Sequence, residues 1–246
     1  MAAARERIMS SSSTKRSEIG HIVELTSQAF ALAKRAAAAA AEGMATGSAE
    51  AVKLLRDNEV KLDSIDHDVD ELVTALITRV TEQEARELLA CMKLVVALER
   101  VGDLLLSFGN RIESVGPRIA TEDQKVLTAM ASQLEKMLGD AEAAFAERNL
   151  DHAIAVLRAD AELDRLRNLT VLHHVETPHE ERRPVSFHIL FMAQGLERAG
   201  DHLKNIAEEV CHLVSGRTVR HVLRTYDRPD EQRFIDHLRA QHRDKA

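Results

Sequence analysis

The hexapeptide Leu98-Glu-Arg-Val-Gly-Asp103 recurs 98 residues later as Leu196-Glu-Arg-Ala-Gly-Asp201, and five of the six positions are identical. Each copy lies in a series of apolar residues spaced 4, 3, 4, 3 and 4 apart, which is typical of a buried seam between helices. The two series are Leu94, Leu98, Val101, Leu105, Phe108 and Ile112, and Met192, Leu196, Ala199, Leu203, Ile206 and Val210. Internal repetition of this kind predicts two copies of one helical unit.

The composition of the 246-residue chain predicts an all-α protein. Hydrophobic residues make up 45% and charged residues 30%, with only 10 glycines, 4 prolines, 1 tyrosine and no tryptophan. So few turn formers and aromatic residues leave little material for strands and hairpins. Alanine, leucine, glutamate, arginine and lysine dominate, and these residues are strong helix formers.

Capping and breaking residues divide the chain into six predicted helices. Their spans are 17–42, 48–80, 81–115, 121–147, 150–175 and 184–215. A capping box of Thr81 and Glu84 marks the start of the third helix. Because long helices joined by short loops pack as antiparallel bundles, we predict two three-helix repeats. The predicted organisation is a disordered segment at 1–16, repeats at 17–116 and 117–216, and a basic tail at 217–246.

Charge and hydropathy restrict the location and the partners. No uncharged apolar run reaches the roughly 18 residues that cross a bilayer, and no signal peptide is evident, so we expect a cytoplasmic protein. Cys91 and Cys211 are 120 residues apart, which argues against a disulfide framework. The net charge of −7 argues against nucleic-acid binding. The tail at 217–246 has a net charge of +3 and is more typical of a solvated terminus than of a docking arm.

Two carboxylate pairs are the candidate functional residues. Glu99 and Asp103 stand one turn apart on the same helix face, and Glu197 and Asp201 repeat the arrangement. Like charges at this spacing repel, and neither glutamate has a cationic residue one turn away on its own helix. Half-buried among apolar neighbours, unpaired carboxylates are costly. A hard cation held between several carboxylates would remove that cost, and salt bridges to arginine or lysine on other helices are the alternative.

The middle helix of each repeat supplies further candidate ligands. Glu59 and Asp63 form an i, i+4 pair, and Asp160 and Asp164 form its counterpart 101 residues later. The acidic stretch 66–71 follows the first of these pairs. Acidic runs on helices are usually solvated, and we interpret 66–71 in that way.

Two glycines interrupt the central helices of the repeats. Gly102 and Gly200 occupy equivalent positions, and each costs about 1 kcal/mol relative to alanine in a helix interior. Their duplication predicts that another backbone or the shell of an ion comes close to the helix at this point.

One segment resembles a known family. Met192-Ala-Gln-Gly-Leu-Glu-Arg-Ala-Gly-Asp-His-Leu-Lys-Asn-Ile-Ala-Glu-Glu-Val210 is similar to the helix that closes each repeat of PhoU proteins, with the pattern Glu-Arg-x-x-Asp-His-x-x-Asn-Ile-Ala. The first copy matches through Asp103 and then departs, with Leu104 in place of histidine and Ser107 in place of asparagine. The resemblance covers about residues 17 to 216.

The resemblance implies a fold, a cofactor and a role. The fold is a pair of three-helix bundles related by pseudo-twofold symmetry. The cofactors are iron or zinc ions in multinuclear sites held by (Glu/Asp)-x-x-x-Asp motifs. The role is that of a cytoplasmic negative regulator that links a phosphate ABC transporter to a sensor histidine kinase. The residues that match the motif are Glu99, Asp103, Glu197, Asp201, Glu59, Asp63, Asp160 and Asp164.

Two other functions compete with this interpretation. A ferritin-like di-iron oxidase needs Glu-x-x-His on two inward-facing helices, but Glu209-x-x-His212 lies about 100° around the helix from the Glu197 and Asp201 pair. No nucleophile and base constellation is evident, so we do not expect an enzyme. The other alternative is a metal-free helical adaptor in which salt bridges neutralise the carboxylates. Long apolar helices also predict a homodimer.

Overall fold

The structure is a computed structural model that describes residues 2–176 and 183–215, with side chains described for 15–176 and 184–215. It confirms the all-α prediction, since the described residues form six α-helices and one 3₁₀ turn at Gly116–Arg118. The helices are α1 Ala2–Thr46, α2 Ala49–Leu76, α3 Glu82–Val115, α4 Thr121–Glu147, α5 Leu150–Glu176 and α6 Arg183–Ser215. The predicted basic tail at 217–246 lies outside the described residues.

The first helix starts earlier than its sequence predicts. We expected disorder over 1–16 and a cap at Ser17, but α1 begins at Ala2 and Ser17 is an exposed residue in its interior. The prediction is wrong because alanine, arginine, glutamate and methionine dominate the first nine residues, and a serine run costs only a few tenths of a kcal/mol per residue in a helix. Lys15 also ties α1 to the start of α3 through Glu84, 3.4 Å away.

Three helices form each repeat, and the two repeats contact each other through matching helices. Helices α1, α2 and α3 pack together, as do α4, α5 and α6, while α1 packs on α4 and α3 packs on α6. The central helices run antiparallel, because Lys93 lies 3.0 Å from Glu209 and Arg111 lies 3.4 Å from His188. Pseudo-twofold symmetry makes α1 equivalent to α4, α2 to α5 and α3 to α6, and the contacts of α1 with α4 and of α3 with α6 agree with it.

The duplicated apolar seam forms the centre of the core. All twelve residues predicted from the 4, 3, 4, 3, 4 spacing are buried, with at most 5% of any of them exposed. They lie where α3 and α6 contact the other helices of their own repeats and each other. Burial of this apolar surface, at about 25 cal/mol per Å², is the main force that holds the two repeats together.

Local signals set several helix ends. The predicted capping box is confirmed, since Thr81 Oγ1 accepts a bond from the Glu84 amide at 3.3 Å and Glu84 Oε2 accepts from the Thr81 amide at 2.8 Å. Helix α1 is followed by Gly47 in the left-handed region, at φ 73°. The equivalent residue after α4 is Arg148, at φ 53°. These two positions are 101 residues apart, so the same turn is built on glycine in one repeat and on arginine in the other.

Candidate metal centre

A leucine seated against a glycine fixes the register of the middle and central helices. A Cβ atom on Gly102 would lie 2.7 Å from Cδ1 of Leu62, and one on Gly200 would lie 2.6 Å from Cδ1 of Leu163. The group that approaches each glycine is therefore a leucine side chain from the middle helix. The prediction of a second backbone or an ion shell at these glycines is wrong. The absence of a side chain here instead lets α2 approach α3 and α5 approach α6 closely.

This register brings five carboxylates together between α2 and α3. We call this group the first acid cluster, and it consists of Glu59, Asp63, Asp66, Glu99 and Asp103. Burial raises the pKa of Glu59, and the charges of Asp103 and Asp63 raise it further. Burial and the charge of Asp103 likewise raise the pKa of Glu99, with Arg100 opposing them and Asp66 adding to the effect. All four residues predicted for the first site are therefore members of one electrostatically coupled group.

Arg100 is the cation in contact with the first acid cluster in the described part of the chain. Its Nε lies 3.4 Å from Glu99 and its Nη1 lies 3.5 Å from Asp103. The arginine side chain is 58% exposed, so solvent weakens both attractions. A single positive charge, largely in water, leaves most of the repulsion among five carboxylates uncompensated.

Asp66 is a member of the cluster that sequence reasoning assigned to the solvated stretch 66–71. That assignment is wrong for Asp66, which is half-buried, and holds for Asp68, Asp70 and Glu71, which are exposed. Burial raises the pKa of Asp66, and the charges of Asp70 and Asp63 raise it further. The spacing of 4 and then 3 from Glu59 through Asp63 to Asp66 places all three on one helix face, and this signal was present in the sequence.

The second acid cluster lies between α5 and α6 and consists of Asp160, Asp164, Glu197 and Asp201. Burial raises the pKa of Glu197, Asp201 raises it further, and Arg167 opposes the rise. Burial and the charge of Asp160 also raise the pKa of Asp201, with Lys204 opposing them. The structure therefore brings the four predicted residues of the second site together as well.

Built-in cations distinguish the second cluster from the first. Arg167 Nη2 lies 3.3 Å from Glu197 Oε1, and Gln194 donates a hydrogen bond to the other oxygen of Glu197. Lys204 Nζ lies 2.8 Å from Oδ2 of Asp160, which is buried. The cation-bridged alternative considered from the sequence is therefore present at Glu197 and Asp160.

The repeat itself shows where this difference arises. Arg167 occupies the position of Asp66 at the middle-helix offset of 101, and Lys204 occupies the position of Leu106 at the central-helix offset of 98. Two substitutions thus supply cations in the second cluster where the first has an acid and an apolar residue.

The donor chemistry of the first cluster fits a hard cation better than that of the second. Carboxylate oxygens are suitable ligands for such ions, and the first cluster offers five carboxylates against one exposed arginine. In the described residues, however, no three His, Cys, Asp or Glu side chains converge closely enough to hold an ion as they stand. Binding therefore requires side-chain rotations in the first cluster, and in the second cluster it also requires the displacement of Arg167 or Lys204.

The residues expected of a di-iron oxidase take other partners. Glu209 Oε1 lies 3.0 Å from Lys93 and 3.7 Å from Nδ1 of His212. This group lies eight residues along α6 from Asp201, at the C-terminal end of the helix. The described structure thus gives the oxidase interpretation no support.

Fold and site together define a class of protein, namely tandem three-helix bundles with Glu-x-x-x-Asp pairs in the grooves between middle and central helices. None of the described helices combines the length and the apolar character that crossing a membrane requires. The PhoU domain matches residues 26–112 and 127–210, which together are more than half of the chain. The chain belongs to the PhoU family.

Named relatives and solved structures agree with this assignment. The chain is 30% identical over 177 residues to a phosphate-specific transport system accessory protein PhoU homolog from Pseudomonas aeruginosa, with 68% of this chain and 72% of the relative covered. It is 25% identical over 218 residues to a homolog of the same description from Zymomonas mobilis, with 82% and 92% covered. The crystal structure of PhoU from Pseudomonas aeruginosa superposes with a TM-score of 0.75 at 23% identity, covering 82% of this chain and 99% of that one. The phosphate transport system regulatory protein PhoU from Streptococcus pneumoniae superposes with a TM-score of 0.73 at 19% identity, covering 83% and 99%.

Proposed function

We propose that this protein is a cytoplasmic accessory regulator of a phosphate transport system. It would negatively regulate the phosphate response by coupling a phosphate ABC transporter to a sensor histidine kinase. Family membership and the descriptions of the relatives as transport system accessory proteins support this proposal.

The first acid cluster is the proposed regulatory site, and a transition metal ion, iron or zinc, is the proposed cofactor. Glu99 and Asp103 on α3 would hold the ion together with the carboxylates of α2. The second cluster would be a weaker site. The observation that carries the proposal is that the pKa values of Glu59, Asp66 and Glu99 are all raised, first by burial and then by neighbouring carboxylates of the same cluster, with one largely exposed arginine in contact with the cluster. When bound, the ion would neutralise this charge.

Elemental analysis after purification without chelators tests the metal proposal. Wild type is compared with Glu99→Gln, Asp103→Asn and with Glu197→Gln, Asp201→Asn, which remove equivalent carboxylate pairs from the two clusters. We expect wild type to contain iron or zinc, the first double variant to lose most of it, and the second to keep the larger part. Equal and negligible metal in all three proteins would rule out the metal site and leave the family assignment standing.

A genetic complementation experiment tests the regulatory proposal separately. In a bacterium that lacks its own PhoU protein, the wild-type chain should restore repression of a phosphate-starvation reporter at high phosphate. The Glu99→Gln, Asp103→Asn variant should fail at equal expression if the metal transmits the signal. Normal repression by a variant that no longer binds metal would show that regulation does not require the metal ion.

The metal-free adaptor is the second candidate, and it applies best to the second repeat. The ion pairs of Arg167 with Glu197 and of Lys204 with Asp160 favour it, because they already supply cations to the two most buried carboxylates of that cluster. On this view the second repeat would serve as a docking scaffold, and the first repeat would bind the ion.

A further inference from the structure

A cleft of about 680 Å³ lies apart from both acid clusters, between the N-terminal half of α3 and the C-terminal ends of α4 and α6. This volume lies within the roughly 300–1,000 Å³ of small-molecule sites. Leu89, Ala90, Leu213 and Val214 give it an apolar lining, and Arg86, Lys93 and Arg148 place positive charge in its walls. The cleft therefore combines an apolar surface with convergent polar groups.

Arg148 lines this cleft from an unfavourable backbone conformation. Its φ of 53° and ψ of 37° lie in the left-handed region, where a Cβ atom is disfavoured. The equivalent residue of the first repeat is Gly47, which adopts this conformation without such a cost. Arg148 is the one non-glycine residue with positive φ in the described part of the chain. Backbone strain of this kind is retained where the side chain has a task.

The guanidinium of Arg148 is held in a fixed orientation. Its Nη2 donates to Glu87 Oε1 at 2.6 Å, and its plane lies over the ring of Phe145, with the carbon atom 4.7 Å from the ring centroid. Its Nη1 is buried and has no hydrogen-bond partner in the described residues. A buried donor without a partner is costly, so Glu87 and Phe145 leave the guanidinium incompletely satisfied.

Lys93 supplies a second cation in the same cleft. Its Nζ lies 3.0 Å from Glu209, and its side chain remains 45% exposed. The basic residues of the cleft are opposed by Glu87, Glu147 and Glu209, so a bare inorganic anion would gain little from the net charge. A ligand that also covers the apolar lining would gain hydrophobic burial in addition.

We propose that this cleft binds a small organic anion, with an apolar body on Leu89 and Leu213 and an acidic group held by Arg148 and Lys93. The acidic group would compete with Glu87 for the guanidinium of Arg148. This proposal does not depend on metal binding or on phosphate regulation, so its test is separate from the tests of the proposed function.

Fluorescence titration of the full-length protein with 8-anilinonaphthalene-1-sulfonate, an apolar ring system with one anionic group, tests the proposal. We expect saturable binding at one site. Arg148→Gly should weaken it at least about tenfold, since one charge-assisted interaction is lost. This variant places at Arg148 the residue that the first repeat uses at the same turn. Arg56→Ala is the matched control, because Arg56 is also paired with a glutamate but lies on α2, away from the cleft.

A second variant keeps the test independent of any folding defect in the first. Glu87→Gln leaves Arg148 in place and removes its competitor, so we expect tighter binding of the same probe. The uncharged probe N-phenyl-1-naphthylamine should bind more weakly and should not respond to Arg148→Gly. Unchanged affinity in both variants, or no saturable binding at all, would overturn the proposal. Displacement of the probe by inorganic phosphate at equal concentration would overturn the apolar part of it.

Discussion

At the scale of single residues, two positions distinguish the electrostatics of the two grooves, and the clearer case is that of Asp66 and Arg167. Asp66 and Arg167 are equivalent, yet the first adds to the repulsion around Glu99 and the second offsets part of the repulsion around Glu197. The carboxylate pairs could be recognised in the sequence because their i, i+4 spacing needs no tertiary information. The role of Asp66 depended on the position of α2 relative to α3, and Arg167 and Lys204 became visible as partners only once the helices were packed.

The second cluster should become a cation site when it receives the residues of the first. Arg167→Asp with Lys204→Leu removes both built-in cations and adds a carboxylate. We expect isothermal titration with zinc to show about one further equivalent bound relative to wild type, because the donor set then resembles that of the first cluster. Arg165→Asp with Lys125→Leu makes the same change of charge elsewhere and should leave the stoichiometry unchanged. An unchanged stoichiometry in the first variant would contradict the argument from donor sets.

The raised pKa of Glu99 determines how the stability of the folded protein should change with pH. A carboxyl whose pKa is raised on folding stabilises the folded state fully at low pH. This stabilisation is lost as the pH rises through the pKa of the group in the folded protein. In metal-free protein, Glu99→Gln should therefore be more stable than wild type at pH 8, by about 0.5 kcal/mol, with the difference vanishing near pH 4. Urea unfolding at both pH values, with a chelator present, measures it.

Glu113→Gln is the control, because the pKa shift of Glu113 on folding has the opposite sign to that of Glu99. The Arg56 guanidinium lowers the pKa of Glu113, so removal of that carboxylate should not stabilise the protein at pH 8. A Glu99→Gln protein that is less stable than wild type at pH 8 would show that Glu99 is compensated in the folded state.

At the scale of the helices, most of the boundaries could be predicted and the first could not. Caps, breakers and apolar periodicity are local signals, and they place α3, α4 and α6 to within a residue or two. The start of α1 lacks such a signal, because nothing in 1–16 forbids a helix and nothing caps one at Ser17. The glycines of α3 and α6 were recognised as exceptional, but the sequence could not show that leucine side chains fill the space beside them.

Alanine substitution of glycine separates close packing from helix propensity. Gly102→Ala would place a methyl group 2.7 Å from Leu62, and we expect a loss of about 1–2 kcal/mol in the free energy of unfolding. At Gly195 of α6 the space is open, so Gly195→Ala should raise that free energy by about 1 kcal/mol. Urea denaturation of both variants provides the comparison. Equal stabilisation by the two substitutions would contradict the packing role of Gly102.

At the scale of the whole molecule, the repeat was the most informative feature of the sequence. It predicted the duplicated seam, and every seam residue is buried. The two offsets, 98 for the central helices and 101 for the middle ones, then allow residues of the two repeats to be compared in space. Whether the protein pairs with a second copy depends on surface side chains, which the repeat does not constrain.

The predicted homodimer can be tested at an exposed apolar pair. Phe187 and Phe191 lie one turn apart on α6 and are 61% and 58% exposed, whereas the first repeat has Leu89 and Lys93 at these positions. If a second copy covers them, Phe187→Ser with Phe191→Ser should reduce the mass measured by light scattering from that of a dimer to that of a monomer. Leu169→Ser with Leu172→Ser, on α5, is the control. A monomeric wild type would contradict the homodimer prediction.

The leucine and glycine contacts also limit how a bound ion could be communicated. The contacts of Leu62 with Gly102 and of Leu163 with Gly200 prevent the middle helices from sliding along the central ones. A slide of either middle helix would push a leucine methyl group into the neighbouring backbone. An ion in the groove would then change the electrostatic potential above it and the orientation of the acidic side chains, while the middle and central helices keep their relative positions. A docking protein would then distinguish the ion-bound state by its surface electrostatic potential rather than by a shift of a helix.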